Sequence, residues 1–140
     1  MITRKYTRAQ LPQWTIEDVI KHDYTYYFGL EHCRRLKPTQ FVDDYEEERV
    51  DKKRRMLEVG QFDPIIVDYD FNIICGHHRH KVLFEHDPRL LFPIICLEGV
   101  AVEDVVKYYS GIKAHEEAMM DRAIEDYDFN KLYQEQQRYE

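Results

Sequence analysis

Three kinds of feature are scarce in this chain of 140 residues. No apolar run approaches the length needed to span a bilayer, and the start Met1-Ile2-Thr3-Arg4-Lys5-Tyr6 has no apolar signal core. The expectation is a soluble, cytoplasmic protein with no membrane partner. Cysteine is sparse as well: Cys33, Cys75 and Cys96 are an odd number without CxxC spacing, and the last two sit inside apolar stretches. They read as reduced core thiols and exclude a disulfide framework. Positive charge is also in deficit. A net charge of −7 counts against a general DNA-coating role, because duplex binding rests on neutralising phosphates.

What is present suits one compact unit. The length is near the common domain size, and 44% hydrophobic with 34% charged residues is an ordinary soluble composition. A helix is expected from Thr15, where Thr15-Ile16-Glu17-Asp18 reads as an N-cap with acidic residues in the first turn, to about His22. The aromatic passage from Asp23 to Leu30 can serve as packing material, as a stacking platform for a base or as an interface; packing is the more frequent use. A main helix is expected from about Asp44 to Val59, with Gly60 as its C′ residue. On it, Glu48 with Lys52 and Asp51 with Arg55 have the i,i+4 order of an exposed, charge-paired helix. Two basic runs, Arg34 to Lys37 and Lys52 to Arg55, could instead share a surface. The C-terminal third reads as a helix from Val102 to Tyr109, a break at Ser110-Gly111, and a second helix from Ala114 to Ile124. The Gln- and Glu-rich end, Lys131 to Glu140, reads as a mobile or partner-binding helix.

The most informative stretch runs from Pro64 to Leu83 and reads as strand, turn (Asp68 to Asn72), strand, glycine turn, helix. Gly76 lets the backbone approach a ligand, and the helix behind it opens with His77, His78, Arg79, His80 and Lys81. Unpaired N–H groups and cationic side chains thus converge on an anion site, for which phosphate is the obvious guest. Arg79 would add a bidentate fork, and His77 or His78 a hydrogen-bond donor or proton carrier. On residue types alone the same stretch also fits a surface helix start whose histidines cap and solvate. Zinc is not expected, although Cys75, His77, His78 and His80 lie close together, because consecutive residues across such a turn point in different directions.

The passage Arg55 to Leu83, with Glu58-Val59-Gly60, Asp63-Pro64-Ile65-Ile66-Val67, Ile73-Ile74 and Gly76-His77-His78-Arg79, resembles the ParB/sulfiredoxin superfamily, whose signature is a glycine, two variable residues and an arginine. His78 and Arg79 match the pair found in sulfiredoxins. His77 stands where sulfiredoxins carry their reactive cysteine, which argues against that chemistry, and where ParB-type members usually carry an acidic residue. Leu36-Lys37-Pro38-Thr39-Gln40 is similar to the segment ahead of the first helix in ParB-like domains, and Arg49 falls where sulfiredoxins place a nucleotide-contacting lysine. Leu91 to Leu97 fits the next strand.

The resemblance covers about residues 30–110 and implies an α/β (α+β) fold: a small mixed sheet flanked by helices, with residues 1–30 as an N-terminal segment and 111–140 as a helical tail. It implies a phosphate- or nucleotide-binding site at Gly76, His77, His78, Arg79, Gln40 and Arg49, with Mg2+ and ATP or CTP as cofactors. It further implies phosphoryl transfer or phosphodiester hydrolysis, in which His78 and Arg79 would be catalytic. The alternative is a noncatalytic module responsive to nucleotide or DNA. A stand-alone phage or bacterial protein is implied, with a homodimer or a protein partner engaged through the aromatic and C-terminal segments. The helix-turn-helix domain of ParB proteins proper is not expected in the residues that follow Gly111.

Overall fold

The structure, a computed structural model, describes residues 5–41, 45–60 and 63–138. The expected helix start at Asp44 and the ends of the chain at 1–4 and 139–140 lie outside the described residues. Two compact units divide the chain, Met1–Lys107 and Tyr108–Glu140.

The first unit holds α1 (Ile16–Lys21), β1 (Tyr26–His32), a 3-10 turn (Cys33–Arg35), α2 (Glu47–Glu58), β2 (Ile65–Val67), β3 (Ile73–Cys75), α3 (His77–His86), β4 (Leu91–Leu97) and the start of α4 (Val102–Arg138). The sheet order is β1-β4-β2-β3, mixed as expected: β4 runs antiparallel to β1 and parallel to β2, while β2 and β3 form an antiparallel hairpin. Ile and Val fill the short central strands because branched side chains pack well on a pleated surface. Alternation sends Ile65, Val67, Ile73, Ile94 and Cys96 into one core with Leu36 and Leu83. Their neighbours Ile66, Ile74, Ile95 and Leu97 are buried on the opposite face. Covering both faces makes the sheet a rigid base for the loops at its ends.

Local chemistry sets several boundaries. The Thr15 N–H donates to Asp18 Oδ2 at 2.8 Å, fixing the start of α1 where the sequence places it. Gly60 takes a φ of 71° and ends α2 one residue after Val59. Asp68 builds the hairpin turn: it is fully buried, its Oδ1 accepts the N–H groups of Asp70 and Asn72 at 2.9 and 2.8 Å, and its Oδ2 accepts from Asn72 Nδ2 and the Val102 N–H at 2.9 and 2.8 Å. One carboxylate therefore closes the turn and caps α4.

The aromatic passage forms an edge strand, β1. Three expectations need correction. Helix α2 begins at Glu47, after Tyr45 and Glu46 in non-helical backbone. The i,i+4 pairs do not appear among the ion pairs of the described residues; Arg54 instead bridges Asp51 at 2.6 Å and Glu85 of α3 at 3.1 Å, and Arg49 meets Glu46 at 3.1 Å. Ser110-Gly111 does not break the C-terminal helix: α4 runs through it as one element of 37 residues, because one glycine in a helix costs only about 1 kcal/mol. Among the described residues no helix is long and apolar enough to cross a membrane.

Candidate phosphate-binding site

The site forms where β3 turns into α3. Gly76 occupies the N-cap with a φ of 106°, a backbone region that favours glycine. Space imposes the same choice: a Cβ there would lie 2.9 Å from Arg79 Nη2, 3.1 Å from Arg79 Nε and 3.2 Å from Ile65 Cγ1. The Arg79 guanidinium thus folds back across Gly76. The first intrahelical bond is His80 N–H to Gly76 O at 2.8 Å, so the N–H groups of His77, His78 and Arg79 have no partner within the helix.

The segment around Gln40 reaches this turn through backbone pairing. Lys37 exchanges bonds with the hairpin, donating to Phe71 O at 2.8 Å and accepting from the Ile73 N–H at 2.9 Å, and Thr39 Oγ1 donates to Ile73 O at 2.6 Å. Tyr6 then pairs with this segment, its N–H donating to Thr39 O at 2.6 Å and its carbonyl accepting from Phe41 N–H at 2.9 Å. That bridge carries Arg8 to the site.

The result is a cavity of about 280 Å³ whose wall contains all six residues singled out from the sequence, Gln40, Arg49, Gly76, His77, His78 and Arg79. It also contains Arg8, Lys52 and Lys53, while Leu11, Pro12 and Cys75 supply apolar wall. Lys52 and Lys53 stand in a run the sequence assigned to charge pairing. Arg8 carries no local signal, since only the Tyr6 bridge places it. The other basic run does not join: Arg35 pairs with Glu31 at 3.3 Å and Lys37 with Asp70 at 3.0 Å.

The histidines act differently from the sequence expectation. His77 is buried, and its Nε2 accepts the Thr39 N–H at 3.0 Å; burial holds its pKa down at about 3. His78 Nε2 accepts the Glu46 N–H at 3.2 Å, and burial, helped by the nearby Arg49 cation, holds its pKa at about 4. Both rings are neutral at pH 7, with Nε2 committed as an acceptor, so neither adds charge to the cavity. His80 is buried too, its Nε2 2.9 Å from Cys33 O, and its pKa is lowered by burial.

Positive charge comes from arginine and lysine instead. Lys53 has its pKa lowered first by burial and then by the Arg79 cation, a sign of crowded like charges. Arg79 is 8% exposed; its Nη1 lies 3.8 Å from Asp63 and its buried Nε has no hydrogen-bond partner. The Cys75 thiol, 3.8 Å from Arg79 Nη2, is pushed up by burial, which outweighs the pull of that guanidinium. Among the described residues no carboxylate lines the cavity, and no group of three or more His, Cys, Asp or Glu side chains is placed to hold a metal ion. Arginine, lysine and backbone N–H donors fit phosphate oxygens. They do not fit a protein-held Mg2+, which asks for oxygen ligands.

Among solved structures, the chain is similar to the C2221 form of a pNOB8-like ParB N-domain, with a TM-score of 0.51 and 19% identity over 66% of this chain and 38% of that one. The fold is ParB-N-like. Another structure of a pNOB8-like ParB N-domain matches with a TM-score of 0.44 and 20% identity, over 54% of this chain and 28% of that one. The chain therefore spans well under half the length of the structures it matches. No protein-family model matches the chain, and no curated protein is similar to it at a significant level.

Proposed function

We propose that this chain is a ParB-like binding module that captures the phosphates of a nucleotide at the N-terminus of α3. One observation carries the proposal: Arg8, Arg49, Lys52, Lys53 and Arg79 surround one cavity, without a lining carboxylate among the described residues, in a chain whose net charge is −7. Charge so segregated against the average has a use for an anion. The three N–H groups at the start of α3 that have no partner within the helix, and the buried, unpartnered Nε of Arg79, supply directional donors at the same place. Mg2+ would arrive only as the counter-ion of the nucleotide.

The catalytic reading, phosphoryl transfer or phosphodiester hydrolysis, draws support from Arg79, which could stabilise charge on a transferred phosphoryl group. Among the described residues it finds no base: His77 and His78 already use Nε2 to accept backbone N–H groups, and no described carboxylate lines the cavity. Binding without turnover is the better-supported function.

Calorimetry with pyrophosphate, ATP and CTP, each with and without Mg2+, tests this. Binding is expected without Mg2+, and a ligand at 100 times its Kd should stabilise the fold by about 2.7 kcal/mol. Arg79→Ala should weaken binding by roughly 10- to 100-fold, the loss of about 1.5–3 kcal/mol in charge-assisted bonds. Nucleoside diphosphate release that Arg79→Ala abolishes would reverse the choice between the two readings. Duplex DNA, added in parallel, would betray itself by affinity that falls steeply with salt. If none of these anions binds, or if Arg79→Ala leaves affinity intact, the cavity is not a phosphate site.

A further inference from the structure

Strand β1 ends the sheet, and its own residues do little to blunt that edge. Proteins usually protect a terminal strand with lysine, proline or a bulge. Over its seven residues β1 has none of these: it contains no Lys, Arg or Pro and keeps unbroken register with β4 from Tyr26↔Leu97 to His32↔Leu91. Its one acid, Glu31, pairs with Arg35 at 3.3 Å and accepts the His32 N–H at 3.1 Å, closing off one donor at the end of the strand.

Two hydrogen bonds fix which backbone groups face outward. Glu98 N–H donates to Thr25 O at 2.9 Å, and Cys33 N–H donates to Leu90 O at 3.0 Å, both in that same register. In an antiparallel ladder the inward-bonding residues alternate. Thr25, Tyr27, Gly29, Glu31 and Cys33 therefore bond toward β4, while Tyr26, Phe28 and Leu30 present their N–H and C=O groups at the free edge, joined there by the His32 C=O, whose own N–H donates to Glu31 Oε1. The side chains of that outward set share one face of the sheet. On it Phe28 is 61% and Leu30 64% exposed, Leu30 stands beside exposed Pro93, and His32 stands beside Leu91, which is 51% exposed.

We propose that β1 is a homodimer interface: a second copy of this chain adds its own β1 antiparallel across a two-fold axis at Gly29, joining two sheets into one. This register sets Phe28 opposite Leu30 of the second copy and Tyr26 opposite its His32. All four belong to the outward-facing set, so Phe28 and Leu30 exchange both hydrogen bonds, while the Tyr26 N–H donates to the His32 carbonyl. Phe28 and Leu30 from both copies then form one apolar strip flanked by Pro93 and Leu91. Glu31 meets Tyr27 rather than another carboxylate, and Gly29 meets Gly29, where the lack of side chains suits a closely spaced, non-hydrogen-bonded pair.

Light scattering behind size exclusion, run on the full chain across the micromolar range, should give twice the monomer mass. Leu30→Lys, at a solvent-exposed position, should give the monomer while keeping the circular dichroism of the parent; Phe28→Lys serves if that variant fails to fold. Gly29→Cys should crosslink into a disulfide dimer on mild oxidation, since a Cβ there meets only ordinary contacts, the nearest 3.5 Å away at Tyr27. Tyr69→Cys, exposed elsewhere, should not. A monomer at every concentration, a dimer that the Lys variants leave intact, or a Gly29→Cys protein that does not crosslink overturns the proposal. None of these positions lines the cavity, so anion binding is a separate measurement.

Discussion

Acid should destabilise this protein through two buried imidazoles. His77 and His78 have pKa values of about 3 and about 4 in the folded chain, against about 6.5 in an unfolded one. Below pH 6.5 the unfolded state therefore binds more protons than the folded state, and stability falls as pH falls. Their contribution is fully present above pH 6.5 and is lost progressively toward pH 4 for His78 and pH 3 for His77. At pH 5 each unfolded imidazole is almost fully protonated and each folded one hardly at all, a ratio of about 30, or roughly 2 kcal/mol per residue. Both together remove about 4 kcal/mol between pH 7.5 and pH 5, a large share of the roughly 5–15 kcal/mol that holds a domain folded. His80, shifted the same way by burial, adds to the effect.

Urea unfolding followed by circular dichroism at pH 7.5, 6.5, 5.5 and 5.0 measures the slope directly. His77→Gln keeps an acceptor for the Thr39 N–H but cannot protonate, so it should be less stable than the parent at pH 7.5 yet lose about 2 kcal/mol less on acidification. A parent whose stability changes by less than about 1 kcal/mol over that range, or a His77→Gln protein with an undiminished slope, would refute the assignment of these rings as buried and neutral.

Three further substitutions test the scaffold. Gly76→Ala should cost about 1–3 kcal/mol in urea unfolding, because alanine must hold a φ of 106° with its Cβ 2.9 Å from Arg79 Nη2, and the displaced guanidinium should weaken anion binding in the same protein. Asp68→Ala should cost at least about 3 kcal/mol, since it strands buried N–H groups in the hairpin turn and at the start of α4. Asp68→Asn should recover only part of that, because an amide nitrogen would face the donors that Oδ2 now accepts; full recovery would mean that the second oxygen contributes nothing. Gly111→Ala meets no atom within 4 Å and sits inside α4, so it should raise helicity and stability by about 0.5–1 kcal/mol, whereas a loss would show a break at that point.

Features set by a few neighbouring residues were legible in the sequence. The cap at Thr15, the stop at Gly60, the turn at Asp68 to Asn72 and the glycine entry to α3 each follow from backbone rules acting within a handful of positions. The six candidate site residues do share one cavity, but residue type alone could not show what each does there. Burial, a property of the packed chain, turns His77 and His78 from cations into neutral acceptors. Arg8 joins the site through pairing between Tyr6 and Gln40, remote from it in sequence. Strand β1 was hidden because Tyr26-Tyr27-Phe28 is aromatic on both faces and shows no alternation. The pairing of Asp51 was misassigned because Arg54, one residue before Arg55, takes it while also reaching Glu85 of α3, a choice made by helix packing.

These observations also account for the residue after Gly76. Resemblance to ParB-type sequences places an acidic side chain at this position, and a carboxylate there would accept the Thr39 N–H as readily as an imidazole does. It would also set a negative charge against the wall that holds Arg49, Lys52, Lys53 and Arg79. A buried neutral imidazole accepts the same bond without that charge. His78 repeats the arrangement one residue later, accepting from Glu46 just ahead of α2. The pair thereby ties the segments at Thr39 and Glu46 to the start of α3 while leaving the cavity's field to the guanidinium and ammonium groups. Glu46 itself pairs with Arg8 and Arg49. An acidic chain can in this way keep a locally positive cavity: Glu46 and Asp63 pair with its arginines without lining it, and its motif histidines hold shape rather than charge.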